Sequence, residues 1–195
     1  MGTTNNSPAE RTETGRRQKR GFLRHRGGSV AIEFGVLAIP FAMLTFAILE
    51  SCISFAGSQV LANAADNVAR QLRTGQPNFR KAQLTEKFVR DEICEQLEVI
   101  VAKGCPGLKF DLRKVTTFKD AADLRIIYTG TGKEKELSST NFTFTPGESM
   151  TRNTLRVFYE WPVITDFIAS SISNLKGGKT LHYASVTWQN EPFDD

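Results

Sequence analysis

The chain has 195 residues, 40% of them hydrophobic and 24% charged, which fits one ordinary domain with an appendage and excludes a wholly disordered or fibrous protein. Its formal charge of +4 is uneven, because Arg11, Arg16, Arg17, Lys19, Arg20, Arg24 and Arg26 face only Glu10 and Glu13 within residues 1–28. The remainder is close to neutral, which excludes a nucleic-acid-coating basic domain, and two distant histidines (His25, His182) exclude a multi-histidine metal site.

Residues 1–20 carry almost no aliphatic side chain and cannot bury enough surface to fold alone. From Ser29 to Leu49 the only charge is Glu33. As a helix this run spans roughly 31 Å, close to the hydrocarbon thickness of a bilayer. The bland reading is a buried core helix, but an all-round apolar run of this length is out of proportion in so small a domain. The basic block before it matches the positive-inside rule. A single transmembrane helix is therefore expected, with the N-terminus cytoplasmic and the chain beyond residue 50 outside.

Three export signals compete for this segment. Ala62-Asn63-Ala64 has the letters of a signal-peptidase site but lies too far beyond Leu49. Lys19-Arg20-Gly21-Phe22-Leu23 hints at a twin-arginine signal, with Lys in the first basic position and an acid inside the apolar run. Gly28 followed by Ser29-Val30-Ala31-Ile32-Glu33-Phe34 resembles a type IV prepilin processing site. That resemblance implies a cut between Gly28 and Ser29, and the Glu33-Phe34 pair is similar to the Flp/Tad subclass. A carboxylate in an inserted helix costs about 2.5–3.5 kcal/mol near the bilayer centre. Glu33 offsets that cost either by pairing with a Ser29 amine freed by the cut, which would fix register between packed helices, or by snorkelling toward water.

Three- and four-residue steps through Ile53, Val60, Leu61, Ala64, Val68 and Leu72 extend the helix to about residue 73. Pro40 and Gly57 are expected bends, and Gly75 with Pro77 an expected stop. A second amphipathic helix is predicted over 78–102, with Leu84, Phe88, Ile93, Leu97 and Ile100 as its stripe. Strands are predicted over 108–113, 124–128, 141–145, 154–161 and 179–189, with an exposed loop over 129–140 and a short helix over 163–173. The reading is α+β, an antiparallel sheet packed on helices. Its parts are a leader (1–28), a membrane and extended helix (29–75) and an external domain (76–195).

Cys94 and Cys105 would both lie in an oxidising space, where a bridge is expected; two buried free thiols are the alternative. Cys52 reads as a packing residue, and the spacing of the three excludes a zinc site. Gly130-Thr131-Gly132-Lys133-Glu134 lacks the upstream Gly and following Ser/Thr of a phosphate loop. Nothing pairs Asp111, Glu160 and Asp166 as catalytic acids, and no catalytic residue or cofactor is assigned.

Gly28 to Phe34, the following Leu37-Ala38-Ile39-Pro40-Phe41 and Ile48-Leu49-Glu50 resemble the amino-terminal signature of the TadE-like pilus assembly family. Ile93-Cys94, Cys105, Phe110-Asp111-Leu112-Arg113 and Gln189-Asn190-Glu191-Pro192-Phe193 are similar to alphaproteobacterial members. The resemblance implies a non-enzymatic minor pseudopilin of the tight-adherence (Flp) pilus, held in the bacterial inner membrane with a periplasmic domain. Its implied partners are a prepilin peptidase, other pilin and pseudopilin subunits, and inner-membrane platform proteins, with no nucleic acid. The opposing readings are a signal-anchored periplasmic enzyme and a tethered sensor or ligand-binding module.

Overall fold

The computed structural model describes residues 1–2, 27–76 and 84–193. Most of the basic leader, Pro77 and the start of the expected second helix (78–83) lie outside the described residues. The chain divides into two units, Met1–Met43 and Leu44–Asp195, and the boundary falls inside the first helix, α1 (Gly27–Arg73).

In the first unit the apolar side chains of α1 are uncovered by the described residues. Val30, Ile32, Phe34, Val36, Leu37, Ile39 and Phe41 are all exposed. In the second unit the pattern of α1 changes to one buried stripe, with Leu61, Ala64, Ala65, Val68, Ala69 and Leu72 in the core. Ala62 to Ala64 therefore belong to a packed helix. The helix ends as a Schellman motif: Gly75 N–H donates to the Leu72 carbonyl, Gln76 N–H donates to that of Gln71, and Gly75 sits at φ +60°.

Helix α2 (Glu86–Leu97) is shorter than the predicted 78–102. Thr85 caps its start by accepting from Phe88 N–H, and Val89, Ile93, Cys94 and Leu97 form its buried stripe. The chain then turns back, because Cys94 is bridged to Cys105 and the Arg90 guanidinium donates to the carbonyls of Leu108 (2.6 Å) and Cys105 (3.2 Å).

Strand β1 (Leu108–Val115) leads to a short helix, α3 (Phe118–Ala122), which the sequence reading missed although Thr117 and Asp120 form its capping box. Next come β2 (Tyr128–Thr129), β3 (Glu136–Leu137) and β4 (Phe144–Thr145). Strand β5 (Arg152–Pro162), helix α4 (Asp166–Ile172) and strand β6 (Lys179–Gln189) complete the chain. The main sheet has the order β4-β1-β5-β6; β1–β5 and β5–β6 are antiparallel, whereas β4 joins β1 in parallel. The domain is α+β and rich in antiparallel pairing.

Two predicted strands shrink for a visible reason. Over 124–128 the Leu124 and Arg125 carbonyls accept from the Arg156 guanidinium (3.4 and 3.3 Å) rather than from a neighbouring strand, leaving only Tyr128 in β2. Over 141–145 the Asn141 carbonyl and the Thr143 N–H are taken by Arg113 and Asp111 side chains, leaving Phe144–Thr145 as strand. The expected loop over 129–140 contains the rest of the β2–β3 hairpin and buries Leu137.

Strand β5 is buried on both faces. Leu155, Val157, Tyr159 and Trp161 join Leu108, Phe110 and Leu112 of β1 in the core shared with α1 and α2. On the other face Phe158 stacks on Phe142, at 4.9 Å between ring centroids, under the segment that joins β3 to β4.

Candidate functional site

Gly28 and Ser29 lie in the first turn of α1, one residue inside its start. Glu33 follows about one turn later and is exposed, as is Phe34 at 73%. This part of the chain passes as one helix long and apolar enough to cross a membrane, with none of its most apolar stretch buried. An all-round apolar surface with one carboxylate near one end suits a lipid or a bundle of like helices, not water.

Where the apolar run ends, the polar contacts of the second unit begin. Glu50 is buried, and its carboxylate accepts N–H groups from Ile164 and from Thr165 (3.2 Å), just ahead of α4. One turn on, Ser54 Oγ lies 3.0 Å from His182 Nε2. Gly57 is an approach site: a Cβ there would come within 2.5 Å of the Trp161 ring. Close packing therefore accounts for this glycine. Cys52 is exposed and free, not packed.

The far end of α1 is held by the carboxyl-terminal residues. Arg73 pairs with Glu191 (3.0 Å) and its carbonyl accepts from Glu191 N–H, while Phe193 lies over Gly75. Asn190 is buried; its amide donates to the Gly147 and Glu148 carbonyls and its oxygen accepts from Trp188 Nε1 (2.7 Å). The Gln189-to-Phe193 run thus ties the last strand to the helix end.

Cys94 and Cys105 form a disulfide with 5.7 Å between Cα atoms. Closing a loop of this size contributes about 2–3 kcal/mol in the chain-entropy model. With both sulfurs bonded, the nearby Glu98 completes no thiolate metal site.

Asp111 is fully buried on the sheet face opposite the helices. Arg156, its register partner on β5 and 3% exposed, donates Nε and Nη2 to the carboxylate (2.9 and 2.6 Å). Arg113 donates a second fork from two residues along β1, and Thr143 N–H a further bond. Both oxygens accept hydrogen bonds, so the group holds strands and loop together. Glu160 is engaged similarly. Burial pushes its pKa up, but hydrogen bonds from Lys109 (2.8 Å) and Lys179 (3.0 Å) outweigh this and hold it below the usual carboxylate range. Asp166 is the first residue of α4.

His182 is buried against Trp161, with ring centroids 5.1 Å apart, and burial pushes its pKa below the ordinary value of 6.5. Above that value both folded and unfolded chains carry a neutral ring. Below it the unfolded chain binds the proton more readily, so stability falls as pH drops through the folded-state value. Urea unfolding followed by tryptophan emission should show a lower midpoint at pH 5 than at pH 7, and His182→Phe should reduce that difference. An undiminished difference in the variant would assign the pH dependence elsewhere.

With this geometry in hand, residues 28–70 match the family model described as TadE-like protein, a family of Tad (Flp pilus) system proteins. No curated protein and no solved structure matches the chain. The matched stretch is α1 itself, both its uncovered apolar part and its packed part. Sequence reasoning singled out the Gly28–Glu33 segment, named Glu50 only in the Ile48-Leu49-Glu50 run, and gave Arg156 no role. Glu50 offered a signal as the first acid after the apolar run; Arg156 offered none until β1 and β5 are placed in register.

Proposed function

From the premise that a TadE-like helix marks a Tad pilus-associated chain, we propose that this protein is a membrane-anchored minor pseudopilin. It supports assembly of a Flp-type pilus and the surface adhesion that depends on it. A prepilin peptidase removes residues 1–28, and Ser29 becomes the new amino terminus. Glu33 then sets the register of the helix against pilin and pseudopilin neighbours or platform proteins in the inner membrane. The external domain, in the periplasm, is non-enzymatic.

The observation that carries the reading is the uncovered apolar helix of residues 30–49 with Glu33 as its one charge, directly after Gly28-Ser29 and inside the matched segment. The hydrogen bonding of both Asp111 oxygens and the double lysine pairing of Glu160 support a scaffold role for the domain. Deleting the coding sequence should abolish or sharply reduce Flp-type pili and surface adhesion, with both restored by the wild-type chain. A deletion strain that piliates and adheres like its parent would overturn the assignment.

A further inference from the structure

Contacts within the Leu44–Asp195 unit order the domain along α1. Glu50 meets Ile164 and Thr165, Ser54 meets His182, Gly57 lies against Trp161, and Arg73 reaches Glu191. The register partners Pro162 and Lys179 therefore end the sheet beside Glu50, and Arg152 and Gln189 end it beside Arg73. The Glu50 end is apolar at the surface. Ile164 is 79% exposed, Ile53 is exposed, and the two flank an apolar hollow of about 390 Å³ shared with Ile100, Val101 and Pro162. Leu44, Phe46, Ile48 and Leu49, just before Glu50 on α1, are exposed as well. Next to the hollow is a cleft lined by Lys109, Lys135, Lys176 and Lys179, against Glu136 and Glu160.

We propose that this end of the domain is a docking surface for an anionic lipid bilayer. The inference rests on residues 29–49 being a membrane span. Given that span, Glu50 stands at the point where the helix leaves the hydrocarbon. Its buried carboxylate fixes the Pro162–Thr165 connection at the same level. Ile53 and Ile164 then enter the boundary between acyl chains and headgroups, where leaving them in water would be unfavourable. The cleft's four lysines outnumber Glu134, Glu136 and Glu160, the acids that pair with three of them, by one, and that surplus at this end of the sheet favours acidic headgroups. The occupant is lipid because the exposed apolar surface runs on from exposed Leu44, Phe46, Ile48 and Leu49 of the same unit, which the span includes, and because the cleft beside it keeps a surplus of lysine. The consequence is a domain held in one orientation on the membrane, its Arg73 end pointing away.

The test uses the full chain in vesicles of phosphatidylethanolamine and phosphatidylglycerol, with Cys52→Ser and the Cys94–Cys105 bridge intact. An environment-sensitive fluorophore is placed in turn at Ile164→Cys, at Leu37→Cys within the span, and at Lys119→Cys on α3. Lipids carrying a nitroxide at a shallow acyl position are one quencher. The probe at 164 should lose most of its emission to that shallow quencher, the probe at 37 most of its emission to a nitroxide placed deep in the acyl chain, and that at 119 little to either. A probe at 164 that behaves like 119 while 37 is quenched would overturn the docking and leave the span standing. No quenching at 37 would overturn the span and the docking together. Shielding of 164 from water without lipid quenching would assign the surface to a second copy of the chain. Equal quenching at 164 without phosphatidylglycerol would overturn the role given to the lysine cleft.

Discussion

Asp111→Ala should destabilise the folded domain by about 3–5 kcal/mol, the cost typical of removing one partner from a buried ion pair. The carboxylate is the only anion facing Arg156 among the described residues, and Arg156 is 3% exposed. Without it the guanidinium keeps the Leu124 and Arg125 carbonyls at 3.4 and 3.3 Å, too weak a replacement for a bidentate charge pair. Arg113, partly exposed, turns to water at lower cost. The Thr143 N–H also loses its acceptor, so the segment over the sheet should loosen. The double variant Asp111→Leu with Arg156→Met removes both charges and should recover much of the loss. Urea unfolding of the solubilised chain, read by Trp161 and Trp188 emission, measures both variants against the wild type. A loss in Asp111→Ala below about 1 kcal/mol, within the range of exposed pairs, would show the pair to be dispensable.

Glu33→Val should leave membrane levels and processing near normal and abolish or severely reduce piliation and adhesion. The substitution makes the apolar run fully uncharged, so insertion becomes easier by about 2.5–3.5 kcal/mol if Glu33 sits at depth. What is lost is the carboxylate that can meet the Ser29 amine of the same or a neighbouring helix. A register-setting polar group in an apolar interface contributes specificity rather than stability. Immunoblots of membranes and electron microscopy of the cells separate the two effects. Normal piliation in the Glu33→Val strain would return Glu33 to a side chain that simply reaches for water.

The parts of the fold legible in the sequence are those governed by local rules. The α1 stop at Gly75 follows from its left-handed backbone, and the bounds of β6 at Lys179 and Gln189 follow from alternation after Gly177-Gly178. The change in α1 from all-round apolar to one-sided is also written in the residues, because water excludes the first pattern and a core selects the second. The misses are tertiary. Asp111 occupies a polar position of an alternating strand, which reads as solvent-facing. Its burial depends on Arg156, 45 residues away, and on the chain around Asn141–Thr143 that crosses above it. Strand β4 keeps only the last two residues of the strand predicted over 141–145, and its parallel pairing with β1 is announced by no hairpin turn. Glu50 entered the sequence reading only in the Ile48-Leu49-Glu50 run; its role as acceptor for Ile164 and Thr165 requires knowing where residue 164 returns.

The amino terminus of the chain recovered from membranes of piliated cells tests the pseudopilin reading most directly. If a prepilin peptidase acts after Gly28, the chain begins at Ser29 and has lost the whole basic leader. Its mass should revert to that of the full chain in a strain lacking the peptidase, and likewise for Gly28→Val, where a side chain blocks close approach to the scissile bond. A chain that retains residues 1–28 in piliated wild-type cells would contradict the reading.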